Sequence, residues 1–416
     1  MQADVVVYGA TSAGVCAAVA AAENGASVIL VEPGAHVGGM TSGGLGYTDV
    51  GDVRVVGGMA ARFRQAVADW YGVPNGRYSG PEPHVAEAIF VDWLERARVT
   101  TVFHARLAGV ELRDRRVVSL RLGSGSAVAG GVFIDASYEG DLLSFAGVPT
   151  SVGRESTHLH GERFAGRQEV VPGHHAMPPW ISPFRDDPDG FEEGLVLPQL
   201  SHRPLAPVGS GDGGVMAYGY RVCLTKAADR IPFERPAGYD EEYWELGRRL
   251  FAKWRREGRA PSAGQLIGLE ENLPGAKCDG NSLGPLSLNV LDGTAWEYPE
   301  ATPSRREQIR QHHLDHTSGF LYFLSHDASV PASIRNELSA WGLPPDEFAD
   351  TGHLPHQLYI REARRMVGEY TLTEHDLLDS TSHEDAVGMG SYHIDIREVQ
   401  RGWRWVYEHP RPIAMV

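Results

Sequence analysis

Cysteine is scarce in this chain. The three among 416 residues, Cys16, Cys223 and Cys278, lie far apart and form no C-x-x-C. Such spacing excludes a disulfide framework and an iron–sulfur cluster of ordinary ligation held by this chain alone. Cys16 is expected to be a small buried hydrophobe. Positive charge is also short: 38 Lys and Arg face 54 Asp and Glu, a formal charge of −16. That surface repels phosphate backbones and anionic bilayers, so neither nucleic acid nor a membrane is an expected partner. No apolar run approaches the roughly 18 residues of a membrane span. G-x-x-x-x-G-K-[ST] does not occur, which removes the usual mark of P-loop kinases. The first strand opens after three residues, leaving no room for a signal peptide, so the expected compartment is the cytoplasm.

Glycine is plentiful instead, with 49 residues, and its densest use lies in residues 4–46. Asp4 to Tyr8 is a β-branched run suited to a buried parallel strand. Gly9, Thr11 and Gly14 occupy the three positions of a G-x-G-x-x-G turn, with Thr in place of the middle glycine. Val15 to Asn24 is alanine-rich and closed by Gly25, as a helix would be. Ser27 to Val31 is a second strand, and Glu32 stands at its end, eighteen residues after Gly14. A strand–turn–helix–strand unit with an acid about 20 residues on is the dinucleotide-binding pattern. Gly9 permits the tight turn, Gly14 the close approach of helix and strand, and the free N–H groups around Ser12 and Ala13 favour a pyrophosphate. Glu32 would accept from a ribose diol and repel a 2′-phosphate. After Pro33 the chain runs through Gly34, Gly38, Gly39, Met40, Thr41, Ser42, Gly43, Gly44 and Gly46, too glycine-rich for a helix. It is expected to lie along a long ligand and to offer N–H groups and the Thr41 or Ser42 hydroxyl.

The segment GATSAGVCAAVAAAENGASVILVEPGAHVGGMTSGGLG resembles the start of the bacterial FAD-dependent oxidoreductases, distant relatives of the fumarate reductase flavoproteins. The likeness continues in PHVAEAIF, FIDASYEGDL, YIREARRMVGEYTLT and MGSYHIDIREVQ. It implies an α/β fold: a Rossmann-like FAD-binding domain, with parallel sheet and β-meander, carrying an inserted α+β substrate or cap domain. Expected bounds are 1–152 for the FAD domain, 153–352 for the insertion and 353–416 for a partial return. The resemblance implies FAD contacts from Gly9, Thr11, Ser12, Ala13, Gly14, Glu32, Pro33, Gly38, Gly39, Met40 and Thr41. It adds backbone contacts to adenine from Ala105, Arg106 and Leu107, and Ala136 and Ser137 near the cofactor. In that family a final glycine turn and helix close the flavin site. The sequence stops at Val416 before such a segment, so weak FAD binding by this chain alone is expected.

Elsewhere the periodicity predicts a helix after Gly57-Gly58 with Ala60, Phe63, Val67 and Trp70 on one face. Residues 73–83 read as a loop, and Val85, Ile89, Phe90, Trp93, Leu94 and Ala97 as the face of the next helix. Strands are expected at 100–103, 108–112, 117–122, 130–136 and 215–224, the fourth of them buried. Ser137 suits the N-cap of a helix over 139–147. Tyr243 to Trp254, Ile309 to Phe323 and Ile334 to Trp341 read as three further helical faces.

Flavin chemistry asks the protein for orientation, a proton acceptor or donor, and charge. The candidates are Arg361, His393, Tyr359 and His160, with Arg154 and His356 behind them. The arginines of YIREARR have two readings, salt-bridged scaffold or a cationic patch for the flavin or an anionic substrate. His312 and His316 have the i, i+4 spacing of metal ligands, but HHLDH lacks a Glu of the H-E-x-x-H kind. The helix there is rich in Gln, Arg and Asp, so a solvated face is expected and no metal. The reaction expected is hydride transfer between a small organic substrate and flavin N5. Its rivals are an NAD-dependent dehydrogenase and a non-catalytic or partner-dependent FAD-fold protein. A homo-oligomer or a separate redox partner is left open.

Overall fold

The opening β-branched run forms strand β1 (Gln2–Tyr8), and the alanine-rich segment forms helix α1 (Ser12–Glu23). The structure is a computed structural model that describes residues 1–74, 80–169, 175–178, 180–189, 192–406 and 409–415. Parts of the 73–83 loop, of the His- and Pro-rich stretch from 172 and of the C-terminal stretch, Val416 included, lie outside the described residues.

Strand β2 (Val28–Val31) follows α1 and pairs parallel with β1, Val5 opposite Val28. Helices α2 (Gly58–Trp70) and α3 (Pro83–Arg96) lead to strands β3 (Thr100–Val102), β4 (Leu107–Arg113), β5 (Arg116–Leu122) and β6 (Ala127–Asp135). One six-stranded sheet results, in the order β3-β2-β1-β6-β5-β4. β3, β2, β1 and β6 are mutually parallel, whereas β5 pairs antiparallel with both β6 and β4. The meander β4-β5-β6 therefore shares its last strand with the parallel sheet. Asp114 and Arg115 make its hairpin turn with φ of 49° and 64°, the left-handed pair that matches strand twist. Valines, alanines and the α3 aromatics pack one core against the sheet, and Val6, Tyr8, Ile29 and Leu120 another on its opposite face.

Some expectations are corrected here. β6 is only half-buried, with Val132 55% exposed, because Gly130 and Gly131 give it no side chains to pack. Trp70 lies at the edge of its apolar stripe and is exposed. Helix α4 is shorter than 139–147, spanning Asp141–Phe145, and its N-cap is Gly140 with φ 68°. Ser137 still anchors this end, accepting from the Gly140 N–H at 3.1 Å and donating to Asp135 at 2.6 Å.

Beyond it come strand β7 (Thr150–Ser151), helix α5 (Thr157–His160), strand β8 (Val222–Thr225), helix α6 (Glu245–Arg256), strand β9 (Lys277–Gly280) and helices α7 (Pro303–His326) and α8 (Ala332–Ser339). Of the strand expected at 215–224 only the end forms. Gly219 bridges Asn289 on one side and Tyr359 on the other instead of joining a ladder. Trp244, Leu250, Phe251, Phe320, Phe323 and Trp341 build the large apolar core of this region. Strand β10 (Arg365–Met366) returns to pair with β7, helix α9 (Glu374–Leu378) follows, and β11 (Gln400–Val406) and β12 (His409–Met415) form a hairpin. Among the described residues no helix is long and apolar enough to cross a membrane.

Candidate functional site

The turn after β1 is as tight as its glycines demand. Gly9 has φ +95°, and a Cβ there would lie 2.7 Å from the Ser137 nitrogen. A Cβ on Gly14 would lie 1.9 Å from the Gly9 carbonyl oxygen. Thr11, the departure from the glycine pattern, is the N-cap of α1. Its hydroxyl accepts from the Gly14 N–H at 3.2 Å and donates to the Ala136 carbonyl at 2.8 Å. The threonine thus ties the turn to the end of β6, which glycine could not do. The Ser12 and Ala13 N–H groups occupy the first turn, where a helix presents donors to an anion.

Glu32 sits half-buried at the end of β2. One carboxylate oxygen accepts from the Ala10 N–H at 2.7 Å and the other from the Gly34 N–H at 2.6 Å. Burial raises its pKa, and these two hydrogen bonds oppose the rise. Two of about four acceptor positions on the carboxylate are used, leaving capacity for a ribose diol. A cavity of about 440 Å³ runs past Gly9, Thr11, Glu32, Pro33, Gly39, Arg106 and Ser137, with Glu139 and His356 on its walls. His356 stacks on His36 at 3.9 Å, and both its ring nitrogens are buried without a hydrogen-bond partner among the described residues. Burial, then the neighbouring His36, pushes its pKa down to about 3, so it is a neutral group awaiting a polar ligand. The glycine cradle, the acid and this orphaned imidazole fit a dinucleotide. Arg106 is exposed and reaches the cavity, but Ala105 and Leu107 do not. Both are buried in the sheet core, and their N–H groups go to the Glu32 carbonyl and the Tyr8 hydroxyl.

The glycine loop serves packing more than donation. Its N–H groups at Gly38, Thr41, Gly43, Leu45 and Gly46 bond to nearby carbonyls, and that of Met40 donates to the Tyr138 hydroxyl at 2.8 Å. Ser42 spends its hydroxyl on the Val37 carbonyl at 2.5 Å, so it is not a free donor. A Cβ on Gly38 would meet the Phe90 ring at 2.7 Å, and one on Gly43 would meet Gln357 Cβ at 2.4 Å. Gly44, with φ +116°, lies on the Arg221 carbonyl. Thr41, Ser12, Ala13 and the half-buried Cys16 face a second cavity of about 790 Å³, walled by Met59, Phe63, Leu372, Leu377 and Tyr392. The expectation of a fully buried Cys16 is corrected accordingly.

The arginines of YIREARR divide. Arg364 pairs with Asp141 at 2.9 Å, and Arg365 with Glu155 at 2.9 Å. Arg154 likewise forks onto Asp212. Among the described residues Arg361 bonds only neutral acceptors, the Ala217 carbonyl at 3.0 Å and Asn289 Oδ1 at 3.3 Å, and its guanidinium lies 4.3 Å over the Tyr359 ring. Tyr359 is tied by its N–H to Gly219. His393 and Tyr392 lie at the surface with their rings in tilted contact, 4.1 Å between centroids. His160 ends the four-residue α5 and lines neither cavity. Sequence reasoning missed Tyr138, Glu139, Asn289 and Arg221. Tyr138 and Glu139 stood within FIDASYEGDL, but Asn289 and Arg221 carried no local signal.

The solvated reading of HHLDH is corrected. His316 is buried, bonded to the Tyr243 hydroxyl at 2.8 Å and the Ser287 carbonyl at 2.9 Å, and His313 is fully buried on the Ile309 carbonyl. Only His312 is partly exposed, at 2.6 Å from Asp292. His313 and His316 are core groups in the middle of α7. Glu82, His84, Asp346 and Glu347 converge closely enough to hold a cation. That place is taken by the Lys277 ammonium, 2.6 to 2.7 Å from Glu82, Asp346 and Glu347.

Among solved structures, the chain is similar to an L-proline dehydrogenase from P. horikoshii, 14% identical over 37% of this chain and 58% of that one, with a TM-score of 0.30. An L-amino acid deaminase from Proteus vulgaris is 16% identical over 37% of this chain and 53% of that one, at 0.28. The chain thus covers little more than half of either, and likenesses at this level carry no assignment. No curated protein matches significantly. The model of the FAD dependent oxidoreductase family, by contrast, matches residues 4–414, so the chain belongs to that family and its cofactor is FAD.

Proposed function

We propose that this chain oxidises or reduces a small organic molecule at a site that begins at Glu32 and ends beside Tyr359 and Arg361. The observation that carries the reading is the continuity of groups between those ends. The Gly9–Gly14 turn and Glu32 suit the ADP half, the loop from Gly38 leads away from it, and Gly44 rests on Arg221 beside the Tyr359–Arg361 pair. FAD, when bound, supplies a hydride acceptor or donor at N5. The chain's own tasks are then binding and orientation. Ser12 and Ala13 would hold the pyrophosphate by N–H groups, Glu32 and His356 would hold polar groups of the adenosine and its linker, and Tyr138 would keep Met40 in place. Arg361 and Tyr359 are the candidates for orienting substrate. His393 and His160 remain candidates from sequence with less geometric support. The division into 1–152, 153–352 and 353–416 belongs to this reading, the sheet cores and the helical core around Trp244 being its support.

Anaerobic mixing of the FAD-loaded chain with a panel of small organic acids, alcohols and amines tests the proposal. Bleaching of the flavin band by one class, and its return with an acceptor, is the expected result. A tightly bound flavin that no organic donor reduces, and that gives electrons to none after chemical reduction, would count against it.

A further inference from the structure

Three arginines from separate segments stand around the Tyr359 end of the site, and two have carboxylates. Arg221 forks onto Asp279 at 2.8 and 2.5 Å, and Arg397 lies 3.2 Å from Asp395. Arg361 has none among the described residues. Its partners are a carbonyl, an amide oxygen and an aromatic face, and burial, with Arg397 and Arg221 nearby, lowers its pKa to about 10 against the opposing pull of Tyr359 and the more distant Asp395. A guanidinium withdrawn from water without a counter-charge is unfavourable, and chains retain such a group where a ligand supplies the charge. Asn289 makes the second half of the argument. It is 4% exposed, and its Oδ1 accepts from Arg361 and from Ser282 at 3.3 Å each. That orientation leaves Nδ2 buried with no hydrogen-bond partner among the described residues. A buried amide donor beside a half-buried cation that no carboxylate contacts among the described residues suits one anionic acceptor. The planar fork of Arg matches a carboxylate best.

We infer that Arg361 and Asn289 form a binding site for a carboxylate of the substrate, which makes the substrate a small organic acid. This rests on the proposed reaction for its meaning, but the site can be tested by itself. Gly219 bridges both Asn289 and Tyr359, two residues before Arg361, and Arg221 two residues on supports Gly44. The carboxylate would thereby be held where the glycine loop ends.

The test is calorimetric titration of the FAD-loaded chain with succinate, with succinamide and inorganic phosphate as controls. Succinate is expected to bind saturably and succinamide not at all. Arg361→Gln should weaken succinate at least tenfold. Asn289→Asp, nearly isosteric, places a carboxylate against Arg361, so it should abolish succinate binding while leaving the melting temperature unchanged or higher. That separates loss of the site from loss of the fold. Equal affinity for succinate in wild type and Asn289→Asp overturns the inference, as does no preference for succinate over succinamide, or phosphate binding as tightly as succinate. If Arg361→Gln leaves succinate affinity intact and instead shifts the flavin midpoint potential, Arg361 serves the cofactor and the inference is wrong. Should FAD fail to load, the reaction proposal falls, and succinate titration of the flavin-free chain still decides whether the carboxylate site exists.

Discussion

Glu32 does two things at once, and a single substitution separates them. Its carboxylate holds the Ala10 and Gly34 N–H groups and leaves capacity for a ribose. Glu32→Gln replaces one acceptor oxygen by a donor and leaves one of those N–H groups unsatisfied, at a cost of about 1–3 kcal/mol. Thermal melting should show that loss, and a FAD titration should show at least a tenfold weaker Kd. In the wild type FAD should outcompete NAD, and NADP should bind worst because Glu32 faces its phosphate. NADP competing as well as FAD would refute the assignment. His356 offers a contrasting case. Its imidazole makes no hydrogen bond among the described residues, only ring contacts that a leucine can partly replace, so His356→Leu should change stability little while weakening FAD by about tenfold if one hydrogen bond of about 1.4 kcal/mol goes. Equal FAD affinity in that variant would remove His356 from the site.

At the scale of elements, the start of α1 shows how a departure from a motif can be structural. Thr11→Val keeps the shape but loses both the cap to Gly14 and the bond to Ala136. Cap losses run to about 1–2 kcal/mol, so chemical denaturation should show a drop of that order, with weaker FAD binding as the helix start loosens. The glycine loop teaches the same lesson from the other side. Its glycine content marks it as no helix, which is right, but the residues that require it are Phe90, Gln357 and Arg221, all distant in sequence. The N-cap of α4 shifted from Ser137 to Gly140 for a related reason. Asp135 engages the Ser137 hydroxyl and also accepts from the Leu143 N–H, so the side chain that looked free is already committed.

Across the whole molecule, the buried pair His175 and Glu398 joins segments 223 residues apart at 2.5 Å. Burial works to raise the Glu398 pKa, yet its hydrogen bond and charge contact with His175 prevail and hold it down at about 2. A carboxylate depressed in the folded state contributes stability that is complete above its unfolded pKa. That stability is lost as pH falls from about 5 towards 2, and it amounts to a few kcal/mol. Glu398→Gln should therefore be less stable than wild type at neutral pH, with the gap in melting temperature closing as pH falls through that window. A gap that stays constant down to pH 2 would contradict this role. The β1–α1–β2 unit could be read from residues 4–32 because all its requirements are local: apolar run, glycine turn, alanine helix, terminal acid. Arg361, Arg364 and Arg365 look alike in the sequence, and nothing local tells them apart.

What the sequence determined by itself is the dinucleotide-binding start, the alternation of strands and helices, and the family, since glycine φ requirements and side-chain periodicity act over a few residues. Tertiary structure alone decided which charges are spent. Arg364 meets Asp141 from 223 residues away and Arg365 meets Glu155 from 210, while no carboxylate reaches Arg361 among the described residues. The same holds for His313 and His316, polar in the sequence yet buried, because the Tyr243 hydroxyl and the Ser287 carbonyl that satisfy His316 come from outside α7. Burial and pairing are long-range properties, and a half-buried cation with no carboxylate in contact becomes visible only once the chain has folded around it.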